Sequence, residues 1–218
     1  ALNLELTVDG VNNGYGLGCD PVGGAQGNSD LLTVRRATVQ PRPTEAGRLQ
    51  IQTTRVQGQL FDDGNVPGGF DPTESTTHNL LVSSYYVAAD SDLIPGVPTL
   101  RRKTLVVDGG APAIIDQEVA PGVESLQVQF GVDLDEDNTV DTYVNPGNGV
   151  YIPGNADYVP GARVMTARVW LVVRGLTPEV GISQVAGFAP GDVDFGVPTD
   201  EFRRMQVSKT ILLRNTRI

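Results

Sequence analysis

Five acidic side chains fall within nine residues: Asp133, Asp135, Glu136, Asp137 and Asp141. The aspartates occupy positions 1, 3, 5 and 9 of an EF-hand-like loop, with Thr139 at position 7, where such loops supply a backbone carbonyl. Hard oxygens at that spacing suit Ca²⁺ held as a structural staple. The match is incomplete, because Asn138 stands where a full loop has glycine and Val144 where it has a bidentate glutamate. Asparagine tolerates the left-handed backbone that the turn needs. Losing the glutamate removes two oxygens from a shell of six to eight. The alternative reading is a solvated acidic turn between two strands, since charge runs usually face water.

Other chemistry is sparse. The single histidine, His78, has no partner in its neighbourhood, and the single cysteine, Cys19, excludes a disulfide within the chain or a zinc cluster. Gly14-x-Gly16-x-Gly18 lacks the preceding strand and following helix of a dinucleotide fingerprint. Carboxylates are the only abundant catalytic groups, which leaves a two-carboxylate glycoside hydrolase as the one enzyme class to consider. No acid outside the loop is singled out for such work, so the chain reads as a non-enzyme. Arg101, Arg102 and Lys103 form a basic patch that could receive a partner's carboxylate, or are solvated strand residues.

The chain has 218 residues and a net charge of −10, which argues against nucleic acid as a partner. Its 26 glycines and 15 prolines suit many strands joined by turns. No apolar run is long enough for a membrane span.

Positioning of the acidic loop falls to strands. Glu124 to Asp133 alternates, with Leu126, Val128, Phe130 and Val132 on one face and Ser125, Gln127 and Gln129 on the other, the pattern of a half-buried strand. Further strands are predicted at Leu31–Val39, Leu49–Val56, Leu80–Ala88, Val97–Val107, Ile114–Glu118, Arg163–Arg174 and Phe202–Arg214. Phe61–Thr77, Asn145–Gly161 and Leu176–Asp200 read as loops. In the last strand Met205, Val207, Ile211 and Leu213 are expected inward, and Lys209 marks a sheet edge.

Leu2 to Val11 reads as a helix, with Leu4, Val8 and Val11 on one side and Leu2 and Leu6 nearly opposite. A helix apolar on two flanks is covered on both, either by this domain and a neighbouring subunit or wholly within its own core. The expected architecture is therefore α+β: a truncated N-terminal helix packed on antiparallel sheet, with long loops. A single domain spans 1–218, with 1–12 the helix remnant and 30–218 the β-rich part. The abrupt opening, without a cap or turn, suggests a segment upstream.

Six segments in order resemble the PilW-type minor pilins of type IV pili and, more distantly, the J-type minor pseudopilins of type II secretion. They are Gly14-Tyr15-Gly16-Leu17-Gly18-Cys19, Ser29 to Arg35, Val97-Pro98-Thr99-Leu100-Arg101-Arg102, Gly122 to Asp133, Arg168 to Arg174, and Phe202 to Asn215. The closest is Val123-Glu124-Ser125-Leu126-Gln127, which runs through Phe130-Gly131-Val132-Asp133 into the acidic loop. The resemblance implies a pilin-like fold whose apolar helical half, absent here, anchors the protein in the inner membrane before filament packing. It implies a subunit that primes pilus assembly with other minor pilins and sits at the pilus tip, under a larger adhesin. The location implied is the extracellular pilus or the periplasmic face of the inner membrane. Leu2, Leu4, Leu6, Val8 and Val11 are then the expected partner interface. The competing reading is a free surface- or carbohydrate-binding module braced by Ca²⁺, with Tyr85, Tyr86, Tyr143, Tyr151 and Tyr158 as stacking platforms.

Overall fold

The structure, a computed structural model, describes residues 6–184 and 186–213. Its strands form two antiparallel sheets, and among the described residues the one helical element is a 3₁₀ turn at Gly149–Tyr151. The expected α+β architecture with a helix on the sheet is therefore corrected to all-β. Where the helix was expected, Val8–Val11 forms strand β1, paired with β2 (Leu31–Ala37) so that Val8 faces Val34 and Val11 faces Leu31. The physical reason is legible in retrospect. Leu2, Leu4, Leu6 and Val8 alternate strictly with Asn3, Glu5, Thr7 and Asp9, which is the two-residue repeat of a strand. Gly10 is a poor helix former, and β1 lies so close to β2 that a Cβ there would collide with the Leu31 carbonyl.

The first sheet has seven strands: β1, β2, β3 (Ala46–Thr53), β4 (Gly58–Asp63), β5 (Thr76–Ala88), β6 (Thr99–Asp108) and β7 (Ala111–Pro121). β5 is its spine. It pairs with β3 through Thr76–Asn79, with β2 through Leu80–Tyr85 and with β6 through Ser83–Ala88. Two of the predicted boundaries shift. Phe61 belongs to β4 and Thr77 to β5, so the loop between them is shorter than expected, and the short strand at Ile114–Glu118 extends to the whole of β7.

The second sheet runs β11–β10–β8–β9, with β8 at Val123–Asp133, β9 at Thr142–Val144, β10 at Arg163–Arg174 and β11 at Arg204–Leu212. The core lies between the sheets. Leu126, Val128, Phe130 and Val132 of β8 pack with Leu6, Val8 and Val87, and Tyr151 meets Phe130 edge to face at 5.6 Å.

β8 is not half-buried as the alternation suggests, because Ser125 and Gln127 on its other face are also enclosed. Gln127 Nε2 donates to the Asn28 carbonyl at 3.0 Å and to Asn13 Oδ1 at 3.3 Å. Along the stretch of β8 that β9 does not reach, Ser29 and Asp30 take over the strand edge. The Asp30 amide donates to Leu126 O at 2.8 Å, and the Asp30 carboxylate accepts from Val128 N at 2.7 Å and Asn13 N at 2.8 Å. Burial pushes the Asp30 carboxyl up to about 6 against the pull of those two amides.

Candidate functional site

β8 runs into the acidic loop and β9 leaves it. The Asp141 amide donates to the Val132 carbonyl at 2.9 Å, closing the loop at its mouth and bringing Asp133 and Asp141 together. One carboxylate oxygen from each of Asp133, Asp135 and Asp141 lies within 4.8 Å of the other two. Asp135 and Asp141 are exposed, while Asp133 is fully buried. Asp133 Oδ2 accepts from Arg163 Nη2 at 3.1 Å, Arg163 Nε at 3.2 Å and the Asn138 amide at 3.0 Å. Its other oxygen, Oδ1, is buried and accepts no hydrogen bond. Burial alone would raise the Asp133 pKa, but Arg163 and the loop amides outweigh it and hold the group below its ordinary value, so the group is a carboxylate.

The rest of the predicted set is arranged differently. Asp137 is turned toward Thr139, accepting from its amide at 2.7 Å and its hydroxyl at 2.6 Å, and does not join the three clustered carboxylates. Asp141 Oδ2 accepts from the Leu134 amide at 2.7 Å, and Asp135 Oδ1 from the Asp137 amide at 3.3 Å. Asn138 and Glu136 both take left-handed backbone, at φ 67° and 65°. Glu136 folds against Gly161, where any side chain would strike its carboxylate. Arg163 escaped the sequence reading. It begins β10, thirty positions from Asp133, and only the pairing of Arg163 with Asp133 across two strands brings it to the loop.

Of the residues proposed for a partner interface, Leu6 and Val8 are buried in the domain's own core and Val11 is partly buried beside Leu31, Tyr86 and Ala88. Leu2 and Leu4 lie outside the described residues.

The apolar surface is found instead at the other end of the chain. Among the described residues β11 is an edge strand whose only pairing partner is β10. The face expected inward is open: Val207 and Ile211 are 46% and 48% exposed, and Met205 more so. Lys209 does sit at a sheet edge. Beside β11 the two sheets part to leave an apolar cleft of about 270 Å³, bounded by Leu32 and Leu100 on one side and Leu126, Leu171, Val207 and Ile211 on the other. The strand is firmly held. Arg204 grips Glu124 of β8 through Nε at 2.6 Å and Nη2 at 2.8 Å, and also binds Asp200, whose carboxyl it depresses to about 2.

Two of the three residues of the basic patch of β6, Arg101 and Lys103, are buried in ion pairs within the domain, and Arg102 is partly exposed. Arg101 is buried and pairs with Asp116 at 2.6 Å and Asp92 at 2.9 Å; Lys103 pairs with Asp116 at 3.0 Å. Tyr86 donates to the same Asp116 at 2.7 Å. Arg102 donates to Gln117 at 2.6 Å. Among the tyrosines, Tyr86 and Tyr151 are buried, Tyr85 and Tyr158 are partly buried, and Tyr143 is exposed, with the Arg168 guanidinium stacked 3.9 Å from its ring centre. His78 ties β5 to the end of β2, its Nδ1 lying 2.6 Å from the Thr38 carbonyl. Cys19 is exposed and free.

No described helix is long and apolar enough to cross a membrane. The sequence model for the type IV pilus-assembly protein W family matches residues 84–215, more than half of the chain. That span begins within β5 and takes in the acidic loop, the Arg101 network and β11. No curated protein and no solved structure matches.

Proposed function

The chain belongs to the type IV pilus-assembly protein W family, and from that premise we propose that it is a minor pilin, a structural subunit that docks other minor pilins through the open edge of its second sheet. Membership places it in pilus assembly, at the bacterial envelope and among other pilus components. The finer role is to prime filament assembly with those subunits and to remain with them at the tip, beneath a larger adhesin.

One observation supports the docking role above the rest: a nine-residue edge strand, anchored by Arg204 yet apolar and uncovered, beside an apolar cleft. Unpaired backbone groups along such an edge invite a further strand, and natural folds blunt edges of this kind unless a partner covers them. A lone lysine, Lys209, is the only charge within Met205–Leu212 to discourage it. The competing carbohydrate-binding reading needs exposed stacking rings, and the burial of Tyr86 and Tyr151 counts against it.

Binding of this chain to each minor pilin of the same pilus system, measured by calorimetry or pull-down, tests the role. Val207→Arg and Ile211→Arg are expected to weaken capture at least tenfold while leaving the melting curve in place, because both side chains are half exposed. No binding to any minor pilin, or binding that ignores both substitutions, would overturn it.

A further inference from the structure

The acidic loop presents a problem of charge that the protein itself does not solve. Of its five acids, Asp133 alone has a cationic partner among the described residues, Arg163. Like charges this close repel unless a counter-ion or bulk water intervenes. Water serves the exposed Asp135 and Asp141, but it does not reach Asp133, which is fully buried. An unpartnered oxygen on a buried carboxylate costs free energy that folded proteins rarely tolerate without an ion or ordered water. Asp133 has such an oxygen, and the same carboxylate belongs to the cluster with Asp135 and Asp141.

We propose that this loop binds one Ca²⁺ ion, with Asp133, Asp135 and Asp141 as its carboxylate ligands. Three carboxylates and the Arg163 guanidinium carry a net charge of −2, which a divalent cation neutralises. The spread of the clustered oxygens, no more than 4.8 Å, fits within the roughly 5 Å that separates opposite ligands around Ca²⁺ at its usual bond lengths. Mg²⁺ demands a tighter octahedron and keeps most of its waters, so an irregular loop of protein oxygens serves it poorly. Arg163 and the Asn138 amide hold Oδ2, which aims the carboxylate and leaves Oδ1 free for the ion. Asp137 braces the turn through Thr139 and stays out of the shell. Loop carbonyls and water complete the coordination in place of the glutamate that Val144 replaces. The ion would lock the β8–β9 connection, and so the end of the strand that carries Phe130 into the core.

The test uses the whole chain, stripped of metal with a chelator and titrated with CaCl₂ by calorimetry, alongside melting curves in Ca²⁺, Mg²⁺ and chelator. Saturable binding of one Ca²⁺, a rise in Tm of several degrees and a response to Mg²⁺ at least tenfold weaker are expected. Asp133→Asn can disturb folding, so Asp135→Asn carries the decision. Its side chain is exposed and holds only the Asp137 amide, and the variant should melt like the parent in chelator yet lose at least tenfold in Ca²⁺ affinity. Absence of binding heat with identical melting in Ca²⁺ and chelator would overturn the proposal. So would an equal response to Mg²⁺, or an Asp135→Asn variant that binds as the parent does. None of these outcomes bears on the docking of pilins by β11.

Discussion

The hairpin of β6 and β7 and the connection from β8 to β9 both concentrate charge, and they dispose of it in opposite ways. On the hairpin, Lys103 stands opposite Asp116 and Arg101 opposite Glu118; Arg101 also reaches diagonally to Asp116 and out to Asp92, and Tyr86 adds a hydroxyl. Arg101 and Lys103 are buried, Asp116 and Glu118 are nearly so and Asp92 lies at the surface, so the two cations offset all but one of the three carboxylates and the odd acid is within reach of water. Burial pushes the Asp116 carboxyl up, but Tyr86, Arg101 and Lys103 outweigh it and hold the group below its ordinary value. In the β8–β9 loop five acids share one arginine, and the buried Asp133 is left with an oxygen to spare. On the hairpin two cations serve three acids and tie two strands together, whereas in the loop one cation serves five, and that imbalance is what the proposed Ca²⁺ would correct. Asp30 is a third case: a buried acid held by two amides and no cation, and its pKa is raised where that of Asp116 is lowered.

The contrast can be broken most forcefully at Arg101. Arg101→Ala leaves Glu118 without a cation among the described residues and Asp116 with Lys103 alone, and a loss of about 3–5 kcal/mol in urea unfolding is expected; a loss under about 1 kcal/mol would mean that water relieves the network. Asp30 supplies the next largest effect, and its sign is opposite to that of Asp116. The folded carboxyl keeps its proton to about pH 6, the unfolded one only to about 3.8, so the native state binds more protons between those values. Stability from Asp30 therefore falls as pH rises through that window, by roughly 2–3 kcal/mol, and Asp30→Asn should flatten this decline in denaturant titrations from pH 4 to 7. For Asp116 the stabilisation is present above 3.8 and is lost as pH falls through its lower folded value.

Smaller effects sharpen the comparison. Tyr86→Phe removes one hydrogen bond to the buried Asp116 and should cost about 1.5–3 kcal/mol in thermal or urea melts. Asp135→Asn, measured in chelator, should change stability by no more than about 0.5 kcal/mol, since the side chain is exposed and relief of repulsion offsets its lost contact. A large loss from this last substitution without Ca²⁺ would make the loop as self-supporting as the hairpin.

Most strands were legible because their alternation is long and their turns are rich in glycine and proline. β5, β6, β8, β10 and β11 all lie close to where the sequence places them. The opening segment was misread because short apolar alternation suits both periods. Leu4, Val8 and Val11 satisfy a helical wheel, yet Val8, Gly10 and their pairing with β2 settle a strand. The acid spacing found the loop, but not that Asp137 turns away or that Arg163 arrives from β10. For β11 the pattern predicts Met205, Val207, Ile211 and Leu213 as an inward apolar face; Val207 and Ile211 do line the cleft between the sheets and Leu213 packs on the core, but the cleft is open and leaves Met205, Val207 and Ile211 exposed.

By itself the sequence determined that most of this protein from residue 30 onward is strands and turns, that its acids gather at 133–141, and that six of its segments, in order, resemble a pilus family. Those properties are local: residue type, spacing and periodicity within one stretch decide them. Tertiary structure alone decided which apolar faces are covered, which charges meet, and which oxygen of Asp133 is left over. Burial and pairing depend on what lies opposite in space, and residues 101 and 116 or 133 and 163 become neighbours only once their strands pair.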